Sequence, residues 1–329
     1  MNMPRRNFVV APAIGTLLAS TGLLNPAFSQ SITKPAHMVV GWPAGGSTDA
    51  AGRLLANHMP SYASSIVVEN RPGAGGRIGL EYTKAAEADG SVFLISPASM
   101  FVIYPYVYKK LSYDPFADFI PVTRVCKFPF AVSVGPAVPL SVKTLADYMR
   151  WCAANPAQAL YGIAAAGSGT HFGGVMLSRA SGVPLTSVPY KGGAPAVQDL
   201  MGGQVPATVN VLGEVLPFLS TGKVRILATT GVSRSRLTPD VPTVGETFPG
   251  FVAEEWFGAF APRRTSAAAI GKLTNAIQAA LKVAAVVQGY EKLGFEIAGE
   301  SGPAFEAIIK ADFERWGPVV KASGFTVEE

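Results

Sequence analysis

The chain has 329 residues, 49% of them hydrophobic and 15% charged, enough to bury a large core and to form two domains of ordinary size. Its formal charge of +5 comes from 27 Lys and Arg against 22 Asp and Glu. Beyond the N-terminus the longest basic runs are Lys109-Lys110 and Arg263-Arg264, which excludes a basic stripe for nucleic acid. Cys126 and Cys152 are too few for a disulfide framework and are expected as buried thiols. His37, His58 and His171 lack Cys or Glu companions at ligand intervals, so neither a metal nor a cofactor is expected.

Residues 1–29 are a different object from the rest. Arg5 and Arg6 precede an apolar stretch from Phe8 to Leu24, and Ala27-Phe28-Ser29 offers small residues where a signal peptidase cuts. Pro12, Gly15, Ser20, Thr21 and Gly22 interrupt the stretch, which therefore falls short of the roughly 20 clean apolar residues of a membrane anchor. An export signal and a periplasmic location are expected. Arg5-Arg6-Asn7-Phe8-Val9 resembles a twin-arginine signal, but Pro4 and Val10 depart from its pattern, so the route stays open. Removing this segment leaves 25 basic against 22 acidic residues, a net +3.

In chain order, Met38 to Val40 is an apolar run that ends in Gly41-Trp42-Pro43-Ala44-Gly45-Gly46-Ser47-Thr48-Asp49 and then a helix. A strand passing through a glycine turn into a helix leaves free backbone N–H groups at the helix start, a seat for an anion. Ser47, Thr48 and Asp49 are cap candidates, and Ala51, Leu54, Leu55 and Met59 follow at helical spacing before Pro60. A tight turn with no ligand explains this stretch equally well. Next come a strand, 65–69, a second glycine turn, 70–76, a helix through Ala86 and a strand, 92–96, which is the parallel α/β rhythm. The segment 104–119 is aromatic and punctuated by proline, and is read as packed irregular chain.

A strand over 128–134 leads to Gly135-Pro136, and the pattern restarts with a helix over 145–154, a strand over 160–164 and a glycine turn over 167–174. Two matching seats, one in each half, favour a ligand over a bare turn. A third turn, Val188-Pro189-Tyr190-Lys191-Gly192-Gly193, opens a helix to Met201, followed by strands over 205–211 and 224–229. Beyond a returning strand, 256–261, apolar faces Ile270-Leu273-Ile277-Leu281 and Phe305-Ile309-Phe313-Trp316 predict two helices. The fold expected is α/β, with two lobes around a ligand cleft: residues 30–130 with 251–329, and residues 131–250.

At these residues the chain resembles the substrate-binding receptors of tripartite tricarboxylate transporters, the Bug receptors, over residues 31–329. The resemblance is carried by ordered motifs: Pro43 to Asp49, Val68 to Gly76, Tyr113-Asp114-Pro115 with Asp118-Phe119, His171, Val188 to Gly192, and Pro239-Asp240-Val241-Pro242-Thr243. It implies a type II periplasmic-binding-protein fold, a monomer, a small organic carboxylate held between lobes, and delivery to a membrane permease. A signalling role without a permease is the alternative. It also places Ala44, Gly45, Ser47, Thr48 and Asp49 of the first loop and Gly167, Ser168, Thr170 and His171 of the second on the ligand carboxylate. Ser96, Ser99, Tyr190 and Asn210, at strand ends or following turns, are read as side-chain contacts.

Where relatives commonly carry Tyr-x-Ser-x-Gly, this chain has Tyr161-Gly162-Ile163-Ala164-Ala165; Asn210 stands for a frequent aspartate and Trp42 for a frequent Phe. Fewer polar groups predict a ligand with one carboxylate on an apolar body, lying against Trp42 and Ile163. No catalytic residue is expected. Phe172 breaks a Gly-x-Gly-x-x-Gly dinucleotide loop, neither Ser47 nor Ser168 has a Gly-x-Ser-x-Gly frame, and His171 is expected to hydrogen-bond its own loop. Asp49 is expected as a cap and Arg53 as its structural partner.

Overall fold

The computed structural model describes Met1 and residues 34–327; the export segment, with Arg5, Arg6 and Ala27 to Ser29, lies outside them. In chain order the elements are β1 (Ala36–Val40), α1 (Ser47–Ala56), β2 (Ile66–Asn70), α2 (Arg77–Ala85), β3 (Val92–Pro97), α3 (Ser99–Val102), α4 (Tyr104–Val107) and the long β4 (Phe119–Val134). Then follow α5 (Leu145–Ala154), β5 (Leu160–Ile163), α6 (Gly169–Ser181), β6 (Thr186–Pro189), α7 (Gly193–Met201), β7 (Ala207–Val211), α8 (Leu212–Val215) and β8 (Arg225–Thr229). The chain closes with α9 (Val244–Thr247), β9 (Glu254–Pro262), α10 (Ala267–Ala280), α11 (Ala284–Lys292), β10 (Glu296–Ile297) and α12 (Pro303–Ser323).

The strands run in the order β2-β1-β3-β9-β4-β7-β5-β6, with β10 and β8 also on β4. β1 pairs in parallel with β2 and β3, and β5 with β6 and β7; the two parallel sets are the cores of two α/β lobes. Both β1 and β3 are covered on their two faces, which is why Met38-Val39-Val40 and Val92 to Ile95 read as continuous apolar runs instead of alternating.

β4 joins the lobes. Its first part, Phe119 to Pro129, pairs antiparallel with β9, and its last part, Phe130 to Val134, pairs with β7 and β8. Sequence reading starts this strand at 128; the structure starts it at Phe119. Pro121 and Pro129, Thr123, Arg124 and Lys127 hide the pattern, and the strand tolerates them through register shifts at Pro121/Thr123 and Arg124/Cys126. The return crossing lies beside it. Thr230, 1% exposed, accepts the Phe130 N–H at 2.8 Å and donates to the Ala253 carbonyl at 2.5 Å, tying both crossing strands through one hydroxyl.

The segment 104–119 packs as expected, with Tyr104, Val107, Tyr108, Tyr113 and Phe119 in one apolar cluster with Phe260, Phe305 and Trp316, but it is not wholly irregular, since it opens with α4 and ends in β4. α10 buries Leu273, Ala276, Ile277 and Ala280, and α12 buries Phe305, Ile309, Trp316 and Val320. α11, which the sequence reading does not separate from the loop after α10, rests on Val286 and Tyr290. Cys126 and Cys152 are both buried free thiols.

Candidate ligand-binding cleft

The first glycine loop opens α1, but the cap differs from the expectation. Gly46 is the N-cap and makes no side-chain hydrogen bond; Ser47 is already the first helical residue. Asp49 works backwards from the first turn, its Oδ2 accepting the Gly45 N–H at 2.9 Å and the Arg53 Nε at 3.0 Å, its Oδ1 accepting Asn70 Nδ2 at 2.8 Å. Burial pushes the Asp49 carboxyl up, but the bonds from Arg53, Gly45 and Asn70 outweigh it and hold the group below the usual carboxylate range. Asn70 also donates to the Trp42 carbonyl at 3.0 Å, so the second glycine-turn motif braces the first loop.

The second loop is capped by Ser168, whose Oγ accepts the His171 N–H at 3.3 Å and lies 2.8 Å from Thr170 Oγ1. His171 Nδ1 accepts the Gly167 N–H at 3.1 Å, as expected of a histidine serving its own loop. Burial lowers its pKa to about 4, so the ring is neutral at physiological pH and Nδ1 stays an acceptor.

Between these loops lies a pocket with about 570 Å³ of empty space, including the part open to solvent. Of the residues named from sequence, Trp42, Ala44, Ser47, Thr48, Ser99, Ser168 and Thr170 line it. Gly45, Asp49, Ser96, Gly167, His171, Tyr190 and Asn210 do not: Gly45 is exposed, Tyr190 is half-buried, and the other five are buried outside the lining. Ser96 Oγ donates to the Pro97 carbonyl, Tyr190 OH donates to Asp199 at 2.9 Å, and Asn210 Nδ2 donates to Glu214 and to the Gly193 carbonyl. Ile163, expected as wall, is fully buried in the core, whereas Trp42 does line the pocket.

Sequence reading missed Glu214 and Glu255, and assigned no ligand role to the third loop, Lys191 to Pro195. That loop carried a signal, a further glycine turn opening α7; the acids carried only the weaker one of a charge set in apolar flanks, Val211 to Leu216 and Trp256-Phe257. Glu214 Oε1 accepts the Ser47 N–H at 3.2 Å and Oε2 accepts Asn210 Nδ2 at 2.9 Å. Burial pushes its carboxyl up against the pull of those bonds. Glu255, 8% exposed, accepts the Ser99 N–H at 2.9 Å and is pushed up to about 7 by burial, with the Ser99 bonds opposing.

Each acid approaches a helix start through a glycine. A Cβ on Gly193, the first residue of α7, would stand 1.8 Å from Glu214 Oε2, and one on Gly169, the first of α6, 2.4 Å from Glu255 Oε2. Only glycine fits at either place. With Gly45 and Ser47 occupied by Asp49 and Glu214, the donors left open at the α1 start are the N–H groups of Thr48 and Asp49, which take no acceptor among the described residues.

Helix-start donors on one lobe facing glycine loops of the other across a pocket define a two-lobed solute-binding protein. The chain belongs to the family of receptors of tripartite tricarboxylate transporters: the family model described as "Tripartite tricarboxylate transporter family receptor" matches residues 52–325. It is 32% identical to Protein BugT of Bordetella pertussis over 98% of this chain and 99% of that protein. Among solved structures it is similar to R. palustris Rpa4515 with adipate, with a TM-score of 0.85 at 32% identity, covering 89% of this chain and 98% of the other. It is also similar to MatC from Rhodopseudomonas palustris with bound malate, with a TM-score of 0.80 at 28% identity over 87% and 98% of the two chains. These likenesses place the fold as the type II periplasmic-binding-protein kind.

Proposed function

We propose that the protein is an exported receptor that captures a small carboxylate between its lobes and hands it to a permease of the tripartite tricarboxylate type. The observation that carries this reading is the pocket itself, with the α1 start in one wall and the α6 and α7 starts in the other. The Thr48 and Asp49 N–H groups and the hydroxyls of Ser47 and Ser99 supply donors, while Ser168 and Thr170, whose hydroxyls are bonded within their own loop, line the facing wall. Charge-assisted hydrogen bonds contribute about 1.5–3 kcal/mol each, so four or five support micromolar affinity, about 8 kcal/mol, after ordering costs. Adipate and malate in the two similar structures are of the class this donor set accepts.

The lobes on this reading are residues 30–130 with 251–329, and 131–250, hinged where Thr230 ties the two crossings. The protein works as a periplasmic monomer after loss of residues 1–29. It binds without turning its ligand over: His171 is neutral and tied to its loop, and no group of three His, Cys, Asp or Glu able to hold a metal occurs among the described residues. A thermal-shift screen of mono-, di- and tricarboxylates tests the reading, since a ligand at 100 times its Kd raises stability by about 2.7 kcal/mol. A folded mature protein stabilised by none of them would overturn it.

A further inference from the structure

A ligand carboxylate in this cleft meets an acid that is already there. Ser47, Thr48 and Asp49 are the first three residues of α1, so their N–H groups share one helical turn of about 5 Å. Glu214 of α8, from the opposite lobe, holds the first of them: its Oε1 accepts the Ser47 N–H at 3.2 Å, and its Oε2 accepts Asn210 Nδ2 at 2.9 Å. The Thr48 and Asp49 N–H groups lack protein acceptors, and an anion on them stands beside Glu214 on the same turn. Trp42, nine-tenths buried in that wall, has an indole N–H with no acceptor, a second sign that an acceptor belongs there.

Among the described residues no buried cation offsets the two carboxylates. Asp49 and Arg53 of α1 pair with each other, and Lys191 of the third loop lines the pocket but is exposed. The α11 end that packs on Gly213 carries Glu291 and Lys292, both exposed. β9 adds a further acid to the wall, Glu255, with Glu254 and Asp312 of α12 beside it; His171 and Tyr104 are neutral. Two carboxylates on adjacent donors with no cation between them cannot both stay ionised, whereas one proton held between them turns repulsion into a short O–H···O bond. Burial already pushes the Glu214 carboxyl up, which favours its taking that proton. Glu255 is the less direct carrier, because the helix start that it holds is α3, through the Ser99 N–H.

We propose that the cleft binds its carboxylate together with one proton from solvent, carried by Glu214 and donated to the ligand. This rests on reading the cleft as the carboxylate site. Glu214 thereby changes from a competing anion into a donor, and the site gains no net charge, since an anion and a proton enter together. Its Oε2 keeps the Asn210 Nδ2 bond throughout.

The test is calorimetry on the mature protein with pentanoate, benzoate, adipate and malate, in buffers of different ionisation enthalpy, which counts the protons taken up per ligand bound. Binding at pH 7.5 should take up about half to one proton, and Kd should rise about three- to tenfold per pH unit from there to pH 8.5. Glu214→Gln mimics the protonated acid, keeping an oxygen for the Ser47 N–H and offering an amide N–H to the ligand. Its binding should take up less than about a quarter of a proton, vary less than about threefold from pH 6.5 to 8.5, and at pH 8.5 be about tenfold tighter than the parent's. Parent binding with no proton uptake and a level Kd over that range would overturn the proposal and keep the receptor. Weaker binding by Glu214→Gln at pH 8.5 would do the same, as would uptake that persists in Glu214→Gln and vanishes in Glu255→Gln. If none of the four acids binds, the proposal falls, and the broad carboxylate screen decides the receptor reading alone. If Glu214→Gln does not fold, the parent's proton count and pH profile, set against those of Glu255→Gln, carry the test.

Discussion

The two glycine loops at the starts of α1 and α6 look alike in sequence and behave differently in the fold. The α1 loop has an uncapped glycine at its N-cap and recruits help from far away: Asn70 from β2, and Glu214 from the other lobe. The α6 loop closes on itself through Ser168, Thr170 and His171, with all its side-chain bonds inside an eight-residue stretch from 164 to 171. Local partners fix a loop whatever the lobes do, whereas a loop finished by a residue from the opposite lobe is finished only when the lobes meet. On that account the α6 loop is scaffold, and the α1 loop is the one whose donors respond to closure and ligand.

The largest effect that would break this contrast is expected at Asp49. Asp49→Ala strips the acceptor from the Gly45 N–H, leaves Asn70 Nδ2 only the Trp42 carbonyl and Arg53 only Asn70 Oδ1, an expected loss of about 2–4 kcal/mol, read as a drop in Tm. Ligand-induced stabilisation should disappear with it. A variant that melts like the parent and still binds would show that the α1 loop does not depend on its remote braces.

For the α6 loop the sharper probe is pH. The His171 pKa is about 4 in the folded state against about 6.5 unfolded, so the neutral ring contributes stability that is present above pH 6.5 and lost as pH falls toward 4. His171→Asn keeps an acceptor near the Gly167 N–H but cannot protonate. Relative to the parent it should gain up to about 3 kcal/mol between pH 6.5 and 4, while changing little at neutral pH. Parallel melting curves across that range would argue that the ring titrates freely and is not held by its loop.

Glu255 acts in nearly the same window with the opposite sign. Its carboxyl is pushed from about 4.5 to about 7, so it costs stability that grows as pH rises from 4.5 through 7. Glu255→Gln should therefore be up to about 3 kcal/mol more stable than the parent above pH 7 and indistinguishable from it in mild acid. A buried acid that weakens the fold and lines the pocket is the pattern of a residue kept for binding.

The smallest effect is the cap. Ser168→Ala removes a local acceptor and should cost about 1 kcal/mol by denaturant titration, with ligand affinity nearly unchanged. A large loss of affinity would move the α6 loop from scaffold to contact.

The βαβ rhythm, both glycine loops and the apolar faces of α10 and α12 were legible because each is a local pattern. Strand runs such as Met38 to Val40 and helix faces such as Leu273 and Ile277 repeat at spacings that sequence displays directly. β4 was legible only from 128 onward, since an antiparallel strand with prolines at 121 and 129 satisfies its pattern only against its partner β9. The motifs beyond the loops turned out to brace the structure. Asp114 accepts the Phe116 and Ala117 N–H groups at 2.8 and 2.9 Å, and Thr243 caps α9 with Glu246.

By itself the sequence determined the class of fold, the three glycine turns that open α1, α6 and α7, and the residues offering backbone donors there. These follow from short-range physics: glycine permits the turn, and a helix start exposes N–H groups whatever surrounds it. Only the tertiary structure decided which donors remain open, that His171, Tyr190 and Asn210 stand outside the pocket lining, and that Glu214 and Glu255 stand in it. Burial, charge compensation and closeness between α8, β9 and the glycine turns are properties of residues 167 positions apart for Ser47 and Glu214, and 156 apart for Ser99 and Glu255. No spacing in the chain records them, because they arise only when distant segments fold together, across the cleft for Ser47 and Glu214 and within one lobe for Ser99 and Glu255.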